Sequence, residues 1–463
     1  MTLIKSISGF RGTIGGKPIT NLTPVDIVNF ATAFASFIQK ETKKENPTIV
    51  VGRDARLSGE MLEGLVNNTL IAMGANVVSL GLSTTPTVEM AVINLKADGG
   101  IILTASHNPK QWNALKLVNA KGEFISAKEG ESLLKLIEEQ DFNYAKIDKI
   151  GKITVDNTQI DKHIEKILAL ELVDIEAIKA ANFKVAIDGV NSTGGISILP
   201  LLKALGVTEV FDIFCEPTGV FPHIPEPLPE NIKALCELVV KEKADVGFVV
   251  DPDVDRLAIV SENGNPFGEE YTLVAIADYI LSNKKGNTVS NLSSTRALRD
   301  ITTKHKGLYN AAAVGEVNVV EMMKKTNAII GGEGNGGVIY PELHSGRDAL
   351  VGIALFLTLM AKRKQKVSII RSGFPNYFIS KNKIDLDEDM DIDRLLAQIA
   401  EKYKNEKVST IDGVKIDFET EWVHLRKSNT EAIIRIYAES NDLSKANHLA
   451  DKIKLDIGEF LKA

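Results

Sequence analysis

Short apolar runs alternate with longer segments of helical periodicity through most of the chain. Residues 48–51, 100–103, 184–187, 246–250, 288–292 and 328–330 are runs of the first kind. Each is bounded by glycine or polar residues, which predicts buried strands. Residues 24–40, 131–138, 197–205, 273–281 and 350–362 repeat apolar positions at helical spacing and predict helices, the first with Thr23 placed to cap it. Strand–helix alternation of this kind predicts α/β layers built on mostly parallel or mixed sheets. The C-terminal part differs. There, 414–418, 422–425 and 433–438 read as closely spaced strands, followed by one long helix over 443–461, the pattern of a small α+β domain.

A chain of 463 residues suggests roughly three domains. A polar stretch over 372–383, holding Gly373 and Pro375, reads as one boundary; a charged helical segment over 156–181 reads as a second, and a softer one falls near 264–269.

Composition narrows the class. A hydrophobic content of 44% with 25% charged residues is that of a soluble globular protein with ample core. The two cysteines, Cys215 and Cys236, are expected as small buried hydrophobes in a reducing, intracellular setting. The N-terminus lacks the apolar core of a secretory signal. The longest apolar run, 349–361, falls short of the ~20 residues a membrane span needs. Gly352 and Thr358 also interrupt it, so it reads as a buried helix. A cytoplasmic protein without a membrane partner is expected. The net charge of −7, with no basic stretch interleaved with aromatics, argues against a nucleic-acid surface. An anionic substrate would have to be met by local arginines and lysines.

Candidate chemistry sits where apolar strands end, as ligand sites do in open α/β sheets. The run ending at Leu103 leads into Thr104-Ala105-Ser106-His107-Asn108-Pro109, which sets a hydroxyl beside an imidazole, with Lys116 downstream as a cation for proton transfer. On these residues alone, a turn in which Ser106 and Asn108 cap backbone groups is the favoured reading. The run ending at Val250 leads into Asp251-Pro252-Asp253-Val254-Asp255-Arg256. Three clustered carboxylates repel one another unless a cation is present, and hard oxygen ligands suit Mg²⁺. An EF-hand is excluded because Arg256 stands where its turn glycine is required. The run ending at Ile330 leads into Gly331-Gly332-Glu333-Gly334-Asn335-Gly336-Gly337. Its glycines admit close backbone approach, while Glu333 and Asn335 offer acceptors and a donor for sugar hydroxyls; a plain glycine turn is the other reading. A fourth loop, Arg426-Lys427-Ser428-Asn429-Thr430-Glu431, with Arg435 beyond it, brackets hydroxyl and amide groups with arginines that match phosphate oxygens, or forms a solvated turn. Arg11, Arg53 and Arg56 add cations near the N-terminus, for which surface pairing is the default.

The four loops, in this order, resemble those of the α-D-phosphohexomutase superfamily, which includes phosphoglucomutases, phosphomannomutases and phosphoglucosamine mutases. The resemblance covers essentially the whole chain. It implies three tandem mixed α/β sheet domains plus a smaller C-terminal α+β domain around a central cleft, here 1–155, 156–262, 263–371 and 372–463. It further implies an enzyme carrying covalent phosphate on Ser106, and Mg²⁺ held by that phosphate with Asp251, Asp253 and Asp255. Lys116 takes the place of the general acid/base lysine, and His107, Arg11 and Arg256 act around the phosphoserine. Glu333 and Asn335 face the sugar. Arg426, Ser428, Asn429, Thr430 and Arg435 hold the non-reacting phosphate. The chain departs from many members at Asn335 and Gly337, where serine and histidine are common, at Glu316 for histidine, and at Lys427 for proline. These changes bear on which sugar is used.

The expected reaction interconverts hexose 6-phosphate and hexose 1-phosphate through a bisphosphorylated sugar. Glucosamine phosphate is the leading substrate, with mannose and glucose phosphates next. A metal-dependent phosphohydrolase and a non-catalytic sugar-phosphate-binding protein are the competing readings.

Overall fold

The structure is a computed structural model that describes residues 2–6, 9–385, 391–427 and 433–460. It forms two compact units, Met1–Tyr279 with Asn335–Ile370, and Ile280–Gly334 with Arg371–Ala463.

The first unit holds two mixed sheets. One runs in the order Ile4–Ser6, Gly9–Thr13, Trp112–Asn119, Gly99–Leu103, Thr48–Arg53, Asn76–Leu82, Ile153–Val155. Thr48–Arg53 is parallel to both neighbours, whereas Trp112–Asn119 returns antiparallel to Gly99–Leu103. The other runs Leu257–Ser261, Val246–Val250, Lys184–Asp188, Glu209–Ile213. Gly99–Leu103 and Val246–Val250 are buried at every position, which is why each reads as an unbroken apolar run rather than an alternation. Phe10 stacks on Phe30 of the helix Pro24–Thr42 at 3.9 Å, closing the core beside the first sheet. The apolar run at 349–361 is wholly buried in the helix Ala349–Arg363. Its Phe356 meets Phe248 and Phe267 edge-on at 6.2 and 5.4 Å. Among the described residues, no helix is long and apolar enough to cross a membrane.

In the second unit, Tyr309–Ala312, Asn287–Asn291 and Ala328–Glu333 lie side by side in parallel. The helix Glu316–Thr326 buries Val319, Val320 and Met323 beside them. The terminal sheet is antiparallel, in the order Phe378–Asp385, Ile433–Ser440, Trp422–Lys427, Val414–Asp417, Lys407–Ser409. The helices Ile392–Lys402 and Leu443–Phe460 share its core through Leu395, Ile399, Leu449 and Ile453.

One expectation is corrected, and two segments read as boundaries resolve into regular elements. Half of the stretch read as a boundary at 372–383 is a strand, Phe378–Asp385, on the edge of the terminal sheet; an edge strand buries little, so its polar sequence conceals it. The charged segment at 156–181 is two helices, Gln159–Leu168 and Ile175–Ala181. Cys215 and Cys236 are free thiols, half-buried rather than buried.

Candidate active site

In the first unit, two loops that lie far apart in sequence meet. Beyond Leu103 the backbone turns sharply, with Ser106 in the left-handed region at φ 48°. Several side chains hold it there. The Thr104 hydroxyl accepts from Ser106 N at 2.9 Å and donates to Asp54 at 2.7 Å. Arg56, 2% exposed, is paired with Asp54 and donates to the backbone carbonyls of Ser106, Asn108, Pro109 and Trp112. The expectation of a surface-paired Arg56 is therefore wrong: this guanidinium is the internal frame of the serine loop. Arg11 reaches the same loop, donating to Asn108 Oδ1 at 3.1 Å.

The second loop follows Val250. Val254, a β-branched residue, adopts φ 62°, and its N–H donates to Asp251 O at 3.1 Å. Strain of this kind persists only where surrounding contacts impose it. Here it turns three carboxylates inward, and Asp251, Asp253 and Asp255 are all fully buried.

The serine meets this cluster directly. Ser106 Oγ donates to Asp251 Oδ2 at 2.6 Å, and His107 Nδ1 stands 3.4 Å from the same hydroxyl. Lys116 Nζ donates to Asp253 at 2.7 Å and Asp255 at 3.4 Å. Arg256 forms an ion pair with Glu226 at 3.1 Å, and its Nε lies 3.9 Å from Asp255. Two further residues, which sequence reading did not single out, also grip the aspartates. Thr85 Oγ1 donates to Asp253 at 2.5 Å, and Arg347 donates to Asp255 at 2.7 Å. Signals were present: Thr84-Thr85-Pro86 is a helix start, and Arg347 precedes Asp348, which caps a helix.

Electrostatics match a cation site. Burial, then Asp255 and Asp253, push Asp251 well above the usual carboxylate range. Burial opposes ionisation of Lys116, yet Asp253 and Asp255 outweigh it and hold the ammonium form. Burial, then Arg256, push the His107 imidazole down, so it stands neutral. Oxygens of the three aspartates lie within 4.8 Å of one another, and Asp253 Oδ1 and Asp255 Oδ1 are buried without a hydrogen bond. Orphaned anionic oxygens in a convergent all-carboxylate set fit a hard divalent ion such as Mg²⁺.

The glycine-rich loop passes in sequence from the second unit, which ends at Gly334, to the first, which resumes at Asn335. Asn335 Oδ1 accepts from Gly337 N at 3.2 Å, and Gly336 O accepts from Leu257 N at 3.0 Å, in the first unit. Gly336 is obligatory, because at φ 87° a Cβ would lie 2.4 Å from Leu257 O. In the second unit, Glu333 Oε1 accepts from Asn291 Nδ2 at 2.8 Å and Gly315 N at 3.1 Å. Glu316 is buried at the start of its helix. Arg426 and Arg435 stand directly opposite on adjacent antiparallel strands, and so share a face. Asp412 lies 3.5 Å from Arg426. Ser428, Asn429 and Thr430 lie outside the described residues.

Four consecutive stretches match the models for phosphoglucomutase/phosphomannomutase: domain I over 3–144, domain II over 161–264, domain III over 268–377 and the C-terminal domain over 383–455. Fold and sequence together therefore define an enzyme of the intramolecular phosphotransferase class. The chain belongs to the phosphoglucomutase/phosphomannomutase family of α-D-phosphohexomutases. It is 36% identical to a phosphoglucomutase/phosphomannomutase of Thermococcus kodakarensis, covering 97% of this chain and 99% of that protein. A phosphoglucosamine/phosphogalactosamine mutase of Sulfurisphaera tokodaii is 32% identical, with 96% and 98% covered. The crystal structure of a phosphoglucomutase/phosphomannomutase family protein from Burkholderia thailandensis superposes with a TM-score of 0.83 at 25% identity, over 97% of this chain and 96% of that one.

Proposed function

We propose that the protein interconverts hexose 6-phosphates and hexose 1-phosphates with Ser106 as phosphate carrier, acting chiefly on glucosamine phosphate. One observation carries the reading: the Ser106 hydroxyl lies 2.6 Å from Asp251, inside a buried trio of aspartates. Phosphoryl transfer asks a protein mainly to position groups and offset charge. Asp251, Asp253 and Asp255 would hold Mg²⁺, which offsets charge on the phosphoryl group when bound. A sugar hydroxyl attacks the phosphorus on Ser106. The bond to Ser106 Oγ breaks as the new P–O bond forms, and the hydroxyl proton passes to the protein. Lys116, held as an ammonium by Asp253 and Asp255, donates a proton to the departing Ser106 oxygen and is refilled by the proton of the attacking sugar hydroxyl. Arg11, His107 and Arg256 surround the serine phosphate, and Glu333 and Asn335 bond sugar hydroxyls.

Arg426 and Arg435 support a grip on the second phosphate. Like charges facing across strands are unfavourable alone and favourable around a dianion. Ser428, Asn429 and Thr430 complete that proposed grip. The bisphosphorylated sugar then turns end for end, so that its other phosphate is returned to Ser106.

Relatives named for glucosamine and galactosamine support the amino-sugar assignment. A second reading, a broad phosphomannomutase/phosphoglucomutase, is favoured by the relative at 36% identity. Coupled assays with the 6-phosphates of glucosamine, mannose and glucose decide between them through kcat/KM. Release of inorganic phosphate in place of a 1-phosphate would overturn both.

A further inference from the structure

Behind the aspartates lies a second set of charged side chains, fully buried in the first unit. Thr87 Oγ1 lies 3.0 Å from His163 Nδ1, and His163 Nε2 lies 2.9 Å from Asp348 Oδ2. The same oxygen is 3.4 Å from His344 Nε2, and His344 Nδ1 is 3.3 Å from Glu89 Oε2. The spacings are those of hydrogen bonds and ion pairs, and every ring nitrogen faces a protein partner. The set forms a continuous line of polar contacts. Glu89 is 0% exposed and its carboxylate oxygens make no hydrogen bond of good geometry. A hydrophobic filling would avoid the desolvation of four ionisable groups here. Their presence calls for a reason other than stability.

The ends of the line supply one. Two residues before Thr87, Thr85 donates its N–H to Asp253 O at 2.9 Å and its hydroxyl to Asp253 Oδ2 at 2.5 Å. Beside Asp348, Arg347 donates to Asp255 Oδ2 at 2.7 Å, and Ala349 N donates to Val254 O at 3.1 Å. The aspartate loop is thus clamped from two sides, by the start of the helix Thr85–Asn94 and by residues 347–349. The line Thr87–His163–Asp348–His344–Glu89 fastens the two jaws to each other. Gly346 sits tightly against it, since a Cβ there would fall 1.8 Å from Glu89 Oε2.

We propose that Glu89, His344, Asp348 and His163 are positioning residues for the metal-binding carboxylates, acting through Thr85 and Arg347 to fix Asp253 and Asp255. The inference rests on the reading of Asp251, Asp253 and Asp255 as divalent-cation ligands. Groups that orient metal ligands in this way are typically worth about 10–100-fold in affinity.

The test is Mn²⁺ binding to the full-length protein by calorimetry, alongside the Mg²⁺ concentration giving half-maximal mutase rate. Glu89→Gln and His344→Gln should each weaken Mn²⁺ binding about tenfold or more and raise the Mg²⁺ midpoint, while KM for the sugar phosphate at saturating Mg²⁺ stays unchanged. Combining Glu89→Gln with Arg347→Lys separates positioning from general loosening. If Glu89 acts through Arg347, the double variant binds Mn²⁺ little worse than Arg347→Lys alone. Folded Gln variants with wild-type Mn²⁺ affinity, or fully additive losses in the double variant, would overturn the proposal. Thr87→Val, which removes one terminal hydroxyl, gives the same reading in a milder form where the Gln variants fold poorly. A wild-type protein that binds no Mn²⁺ would instead strike the cation reading on which the inference stands.

Discussion

At the residue scale, the serine loop and the aspartate trio were legible because chemistry forced unusual residues into apolar surroundings. Three carboxylates directly after a buried strand are hard to explain without a cation; they lie close together, and Asp251 accepts from Ser106 Oγ. What held them was less legible. Arg56, Thr85 and Arg347 act through long-range contacts, and no local pattern encodes a partner 50 or more positions away. Ser106→Ala should lose nearly all turnover and lack the single added phosphate expected by intact mass in the parent. Asp253→Asn should shift the Mg²⁺ titration of activity to higher concentration; an unmoved titration would exclude it as a ligand. His344 gives a stability prediction. Burial opposes its charge, but Asp348 and Glu89, which face its two nitrogens, raise its pKa from 6.5 to about 10, and His163 meets its ring edge-on. A raised folded-state value means that stabilisation is complete below about pH 6.5 and fades as pH climbs through about 10. The melting temperature of the parent should therefore fall over that interval more steeply than that of His344→Gln.

At the element scale, burial on both faces made the central strands conspicuous, while partial burial hid the edges. The runs read at 246–250 and 100–103 match Val246–Val250 and Gly99–Leu103 almost residue for residue. Phe378–Asp385 and Lys407–Ser409, both at sheet margins and polar in sequence, went unread. Ridges of apolar residues reveal an element only where something packs on it. The glycine-rich loop shows a different limit. Its glycines suggested closeness to a ligand, yet Gly336 is required by the protein itself, against Leu257. Gly336→Ala should lower the melting temperature, through a loss of about 1–3 kcal/mol set by backbone strain and the contact with Leu257. Because Leu257 follows Arg256 at the end of the aspartate loop, the same substitution should also depress turnover.

At the scale of the whole molecule, the proposed chemistry divides between the units: the serine and aspartates belong to one, and Arg426 and Arg435 to the other. It predicts a separable effect for the arginines. Arg426→Ala should raise KM for the sugar phosphate, with the Mg²⁺ titration unmoved, because a guanidinium that holds the spectator phosphate contributes to binding before transfer. It also predicts how the enzyme is primed. A transfer cycle that begins and ends with phosphate on Ser106 cannot start from a bare serine. Protein stripped of phosphate should then be inactive toward hexose monophosphates and recover on adding a catalytic amount of hexose 1,6-bisphosphate, but not inorganic phosphate, since only the bisphosphate can leave one phosphoryl group on Ser106 and depart as a monophosphate. In Arg426→Ala that recovery should demand more bisphosphate. If the arginines do not grip the far phosphate, the variant and the parent would be primed at the same concentration.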